Sequence, residues 1–188
     1  MATIITGAAV TTEGIVTTTL GNNNFVAGAA AGDSIVSGGN NNTLVGTNAG
    51  TAITTGDDNT AVGYKALDTG TGTGNTAIGS SALDAQTTAN FNTAVGSGAL
   101  KANTTAGNNT AVGRSALLAN TTASYNTAVG KNSLKANTTG AENSAFGMNT
   151  LDANTTGVNN TAFGSSALGA NTTASYNTAV GREALSNN

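Results

Sequence analysis

Asn109-Thr110-Ala111-Val112-Gly113-Arg114-Ser115-Ala116-Leu117-Leu118-Ala119-Asn120-Thr121-Thr122-Ala123-Ser124-Tyr125 is followed at 126–130 by Asn-Thr-Ala-Val-Gly, and the reading begins again. One unit is seventeen residues, and its first asparagine recurs at Asn42, Asn59, Asn75, Asn92, Asn109, Asn126, Asn143, Asn160 and Asn177. Every step is seventeen except the sixteen between Asn59 and Asn75, where the chain reads Thr-Gly-Thr-Gly-Thr-Gly over 69–74. A fixed period of this length is the signature of a repeat architecture, in which each unit buries its apolar side only against its neighbours.

Numbered from the asparagine, position 5 is Gly in every unit from Asn59 onward, a residue that permits positive φ at a tight corner. Position 4 is Val62, Ile78, Val95, Val112, Val129, Phe146, Phe163 or Val180, and position 9 is Leu67, Leu83, Leu100, Leu117, Leu134, Leu151, Leu168 or Leu185. These two columns are the expected core. The abundance of Gly, Asn and Thr argues against a helical repeat, because these residues are poor in helix interiors. Coils stacked about 4.8 Å apart would set like over like and turn both columns into continuous aliphatic ribs. The asparagines at position 1 and at position 12 (Asn103, Asn120, Asn137, Asn154, Asn171) are expected to form axial amide ladders.

Residues 24–58 carry a half-length rhythm: short β-compatible runs at Asn24, Asp33, Asn42 and Thr51 start nine residues apart. The rhythm resolves one coil into two strands and two turns. The expected fold is therefore all-β, a parallel β-solenoid of 17-residue coils with two short strands per coil. Three segments follow: 1–23 as an N-terminal arm or cap, 24–58 as irregular first coils, and 59–188 as the regular array.

Composition agrees. Leu, Ile, Val and Phe total only 32 of 188 residues, which in a chain of high net charge would suggest disorder. Here the net charge is −3 and the apolar residues are strictly phased, as a stack of thin coils requires. There is no Pro to interrupt a ladder and no Cys or His. Transition-metal sites and Ser-His or Cys-His catalysis therefore lack their usual residues, and no catalytic, cofactor or metal residue is expected. Asp57 and Asp58 are adjacent and read as a turn. Gly70-Thr71-Gly72-Thr73-Gly74 lacks the Lys and helix start of a phosphate loop. The six cations (Lys65, Lys101, Arg114, Lys131, Lys135, Arg182) fall at positions 6, 7 and 10, which marks a solvent rim and is too dilute for nucleic acid. The first residues have neither a basic stretch nor an adequate apolar core, so no export signal and no membrane insertion are expected. On that footing the Asn-Thr-Thr triplets are chance matches to the glycosylation pattern.

The recurring Asn-Thr-Ala-Val-Gly-x-x-Ala-Leu with intervening Asn-Thr-Thr-Ala/Gly resembles repeats of two related groups. One is the head of trimeric autotransporter adhesins, a left-handed β-roll in threefold bundles. The other is the fibre and appendage proteins of tailed bacteriophages, notably those of cyanobacteria. The resemblance is close over 59–188 and loose over 24–58. It implies an intertwined or side-by-side homotrimer in a virion assembled in the host cytoplasm, bound to other virion proteins through residues 1–58. Tyr64, Phe91, Tyr125 and Tyr176 are candidate contacts to a host-surface glycan. Capsid decoration, a bacterial adhesin head and an ice-binding solenoid with threonine arrays are the alternative readings.

Overall fold

The computed structural model describes residues 21–187. The arm or cap expected over 1–23 lies outside this range except for its last three residues. The chain is a parallel β-solenoid with no helix among the described residues. Its strands are β1 Phe25–Ala27, β2 Thr43–Val45, β3 Thr60–Val62, β4 Thr76–Ile78, β5 Thr93–Val95, β6 Thr110–Val112, β7 Thr127–Val129, β8 Ser144–Phe146, β9 Thr161–Phe163 and β10 Thr178–Val180. They form one ten-stranded sheet in chain order. Every pair is parallel, with like repeat positions side by side: Thr110 faces Thr127, Ala111 faces Ala128 and Val112 faces Val129. The shortened unit keeps this register, since Thr60 still meets Thr76. Gly72 accepts from Asn59 Nδ2 as Ala106 accepts from Asn92 Nδ2, so the residue lost from that coil is one threonine of the Thr-Thr pair.

Each coil carries one strand, not the two expected from the nine-residue rhythm. The second half of the coil advances through turns. In the unit from Asn92, Ala99 N–H donates to Gly96 O at 3.1 Å and Asn103 N–H to Leu100 O at 3.1 Å. Between these turns, Leu100, Ala102 and Thr104 donate N–H to the next coil's Ala116, Leu118 and Thr121. Coil-to-coil pairing thus continues around the ring, but too interrupted to make a second sheet. The half-repeats at Asp33 and Thr51 are this turning half.

The core differs from the expected one in a way the strand's alternation explains. Successive side chains on a strand point to opposite faces. Asn109 at position 1 and Ala111 at position 3 are buried, so Thr110 and Val112 face outward. The expected position-4 core is therefore corrected. Val62, Val95, Val129 and Phe146 are half-exposed, while Ile78, Val112, Phe163 and Val180 are exposed, Val112 at 37% and Val180 at 73%. Position 9 is inside: Leu67, Leu83, Leu100, Leu117, Leu134, Leu151 and Leu168 are fully buried. Leu185 is the exception at 49% exposure, because no described coil stacks beyond it.

The bore admits one large side chain per coil from this pair of columns. Where position 3 is Ala, position 9 is Leu; where position 3 is Val26 or Leu44, position 9 is Gly32 or Gly50. A Cβ placed on Gly50 would lie 2.7 Å from Leu44 Cδ2, so the two halves exchange bulk within a fixed volume. Position 12 changes chemistry along the axis, from the buried Ile35 and Ile53 through Gly70 to the buried Gln86 and then asparagine.

The two asparagine columns are built differently. At position 12 the amides bond directly: Asn120 Nδ2 donates to Asn103 Oδ1 at 3.0 Å and accepts, through Oδ1, from Asn137 Nδ2 at 3.0 Å. At position 1 the regular axial link is from backbone to side chain, Asn126 N–H donating to Asn109 Oδ1 at 2.9 Å. Both columns converge on position 15, where Ala123 O accepts from Asn109 Nδ2 at 3.0 Å and from Asn120 Nδ2 at 2.9 Å. The polar interior is thereby satisfied at the cost of a fixed rotamer per asparagine. At the last described rung, Asn171 Oδ1 is buried and has no donor among the described residues.

Candidate functional site

The outer face of the sheet is the largest regular surface the coil produces. It carries two parallel rows, a hydroxyl row at position 2 from Thr43 to Thr178 with Ser144 within it, and the apolar row at position 4 from Val45 to Val180. No strand contains a charged residue. Within the apolar row Phe146 and Phe163 replace valine on adjacent coils and stack, with ring centroids 4.4 Å apart and planes 10° from parallel. Met148, two residues past Phe146, is exposed at the flanking corner.

Glycine closes this face. Gly113 has φ 135°, and a Cβ there would stand 2.6 Å from the carbonyl carbon of Gly130 in the next coil. The same approach recurs from Gly28 to Gly164, which is why position 5 accepts nothing larger.

The four candidate aromatic contacts are all exposed, but the structure divides them. Phe91, Tyr125 and Tyr176 share position 17, a corner just ahead of the strand, with φ between 58° and 64°. Two coils separate the first two and three coils the last two, about 10 and 14 Å along the axis. Tyr64 sits at position 6 on the other side of the sheet, with Lys65 Nζ 6.0 Å from its ring centroid. The four therefore flank the sheet face from both sides and do not form one cluster.

Charges occupy the rim. Lys101, Arg114, Lys131, Lys135 and Arg182 are exposed, and the half-exposed Lys65 lies 3.6 Å from Asp68. Burial pushes the Asp152 carboxyl above the usual range, opposed by a backbone hydrogen bond and by Lys135. Asp57 and Asp58 are turn residues whose carboxylates accept from Asn40 and Asn41 of the preceding coil. In the Gly70–Gly74 stretch, Thr71 N–H donates to Thr87 O, Thr73 N–H to Asn90 Oδ1 and Gly74 N–H to Asp57 O. These amides serve the neighbouring coils and do not converge on an anion. Among the described residues no group of three acidic, His or Cys side chains could hold a metal. No described helix is long and apolar enough to cross a membrane.

Hydrophobicity alone favours the larger of two neighbouring apolar residues as the inward one, which conceals the outward apolar row in the sequence. The signal was present: an invariant asparagine at position 1 and alanine at position 3 share one parity, and valine takes the other. The fold and this surface define a parallel β-solenoid repeat protein. Compared with known proteins, the chain matches no family model, no curated protein and no solved structure.

Proposed function

We propose that this chain is a non-enzymatic structural protein of a bacteriophage particle. Three copies lie side by side as a rigid β-solenoid fibre or appendage, held to other virion proteins through residues 1–58. The regular array projects outward and aids attachment to the host surface. The observation that carries the oligomeric part is the row from Val45 to Val180. It is a continuous apolar strip on a charge-free face that no described part of its own chain covers. Such strips on soluble proteins mark interaction surfaces. The virion role rests on the resemblance of the repeat to phage appendage sequences. The corner aromatics Phe91, Tyr125 and Tyr176 suit a glycan contact, since exposed rings offer sugars an apolar platform beside polar neighbours.

Light scattering of the purified chain tests the assembly, and immunogold labelling of purified phage particles tests the location. A trimer and labelled projections are expected. A monomer at micromolar concentration, or particles free of label, overturns the reading.

A second reading has one observation behind it. Thr105, Thr122, Thr139, Thr156 and Thr173 form an exposed column, and the threonine before each of the first four has its hydroxyl bonded to the next coil, as Thr104 Oγ1 to Thr121 O at 3.0 Å. The array is regular enough to order water as an ice-binding face would. An absence of thermal hysteresis disposes of it.

A further inference from the structure

We infer that the stacked pair Phe146–Phe163 sets the axial register between copies of this chain, a role that rests on the trimeric reading above. A face built from a repeated unit has a problem of its own making. The row offers nearly the same valine or isoleucine every 4.8 Å or so, so a neighbouring copy can slide by one coil and lose only one rung of contact in nine. Registers on uniform faces are weakly specified for this reason. Positive and negative charges normally choose between registers, and no strand carries any.

The occupant of the face is a second copy, for two reasons. The strip is apolar and uncharged along its length, hence complementary to itself. Its size also points to closure among several copies. Nine inter-strand steps of about 4.8 Å and three residues of about 3.3 Å give a face of roughly 430 Å². A stable two-body contact takes about 800 Å² from each partner. Pairing with one other copy falls short, whereas closure about a threefold axis gives each copy two neighbours.

Within the row from Val45 to Val180 the two phenylalanines are the side chains that break translational symmetry by bulk; the other aromatic on the sheet face, Phe25, lies at its far end in the neighbouring column. In register, the two wide aromatic layers of every copy coincide. A slip of one coil leaves Phe146 facing Phe163 but sets Phe163 against Val180 and Val129 against Phe146. A slip of two coils leaves no aromatic pair. Each mismatch opposes a ring to a smaller side chain and opens a gap beside it, which close-packed contacts do not tolerate. The 4.4 Å stack stiffens the two rings into one feature spanning two coils.

The chain has no cysteine, so introduced ones report unambiguously. Two tagged chains, Val112→Cys and Val129→Cys, are co-expressed and oxidised. Disulfides between like positions report the aligned register, and 112–129 disulfides report a one-coil slip. Bridging requires Cα atoms within about 7 Å, so an axial offset of about 4.8 Å discriminates. In the parent chain like-position disulfides dominate. In Phe146→Val/Phe163→Val their ratio to the 112–129 product falls roughly fivefold, the order expected for losing an aromatic pair. Those substitutions restore the valine of the other units, and circular dichroism verifies that the solenoid persists. As a second arm, Ile78→Phe/Val95→Phe on that background restores the ratio. An unchanged ratio in a chain that remains trimeric overturns the register role alone. A monomeric parent chain by light scattering overturns both this role and the trimeric reading.

Discussion

Leu117 sits at φ 51°, and the buried leucines at position 9 from Leu67 to Leu168 all lie between 50° and 54°. The left-handed region costs an L-residue about 1–2 kcal/mol, so these leucines are held there by what their side chains bury. Full burial of a leucine contributes about 1.5–3 kcal/mol, enough to outweigh the strain. The Leu44/Gly50 exchange shows the alternative solution in the same molecule. Ala111→Leu is therefore expected to destabilise by about 1–3 kcal/mol through overpacking. Leu117→Gly costs about as much as other large-to-small core changes, less the strain it relieves. The double variant recovers at least about 1 kcal/mol relative to the sum, read from urea midpoints at one protein concentration. Additive losses would mean that the two columns do not share volume. Asp152 supplies a second residue-scale prediction. Its folded-state carboxyl titrates above the ordinary 3.8, so the folded chain holds the proton more tightly than the unfolded one. Stability accordingly falls as pH rises through the interval above that value. Asp152→Asn is expected to raise the melting temperature at neutral pH and to leave it unchanged below the ordinary aspartate range.

At the scale of the coil, each unit is a short strand, two turns and a polar seam where positions 1, 12 and 15 meet. The seam is cooperative because the amides of Asn120, Asn137 and Asn154 at position 12 each bond to both neighbouring coils. Asn120→Ile removes the donor to Asn103 Oδ1 and the acceptor for Asn137 Nδ2, while Ala123 O keeps Asn109. Leaving such groups buried and unpaired costs about 1–3 kcal/mol each. An aliphatic column is nevertheless compatible with the bore, as the buried Ile35 and Ile53 show. Asn103→Ile/Asn120→Ile is thus expected to cost less than the sum of its single changes, because the bond between the two is removed from both ends. Chemical denaturation of the four chains measures the coupling, and its absence would show that the amides act independently.

Among the described residues, strands touch only those of the next coil, so the solenoid behaves as a one-dimensional array whose stability is a sum over neighbours. Deletion of residues 126–142 removes one coil without altering any register. The shortened chain is expected to fold with an unchanged circular dichroism spectrum and to lose about 4.8 Å of length by small-angle scattering. Deletion of 126–134 alone removes a strand half, sets two turning halves in succession and is expected to abolish cooperative melting. If both deletions behaved alike, the coil would not be the structural unit.

The period, the stacking of like on like, the glycine corner and the burial of Leu67 to Leu168 were legible in the chain, because repetition displays what each position tolerates. The seventeen-residue spacing needs no long-range information, since every contact it implies is to the next copy of the same words. Which of Ala111 and Val112 faces inward was not decided by hydrophobicity, which favours valine. It was decided by the width of the bore: with Leu117 filling it from the opposite side, only a methyl fits, and the alternation of the strand sends Val112 out. The same closure limits the turning half to broken ladders and leaves one sheet where two were expected. The exposed row from Val45 to Val180 is thus a product of tertiary packing, set by the volume each coil can enclose.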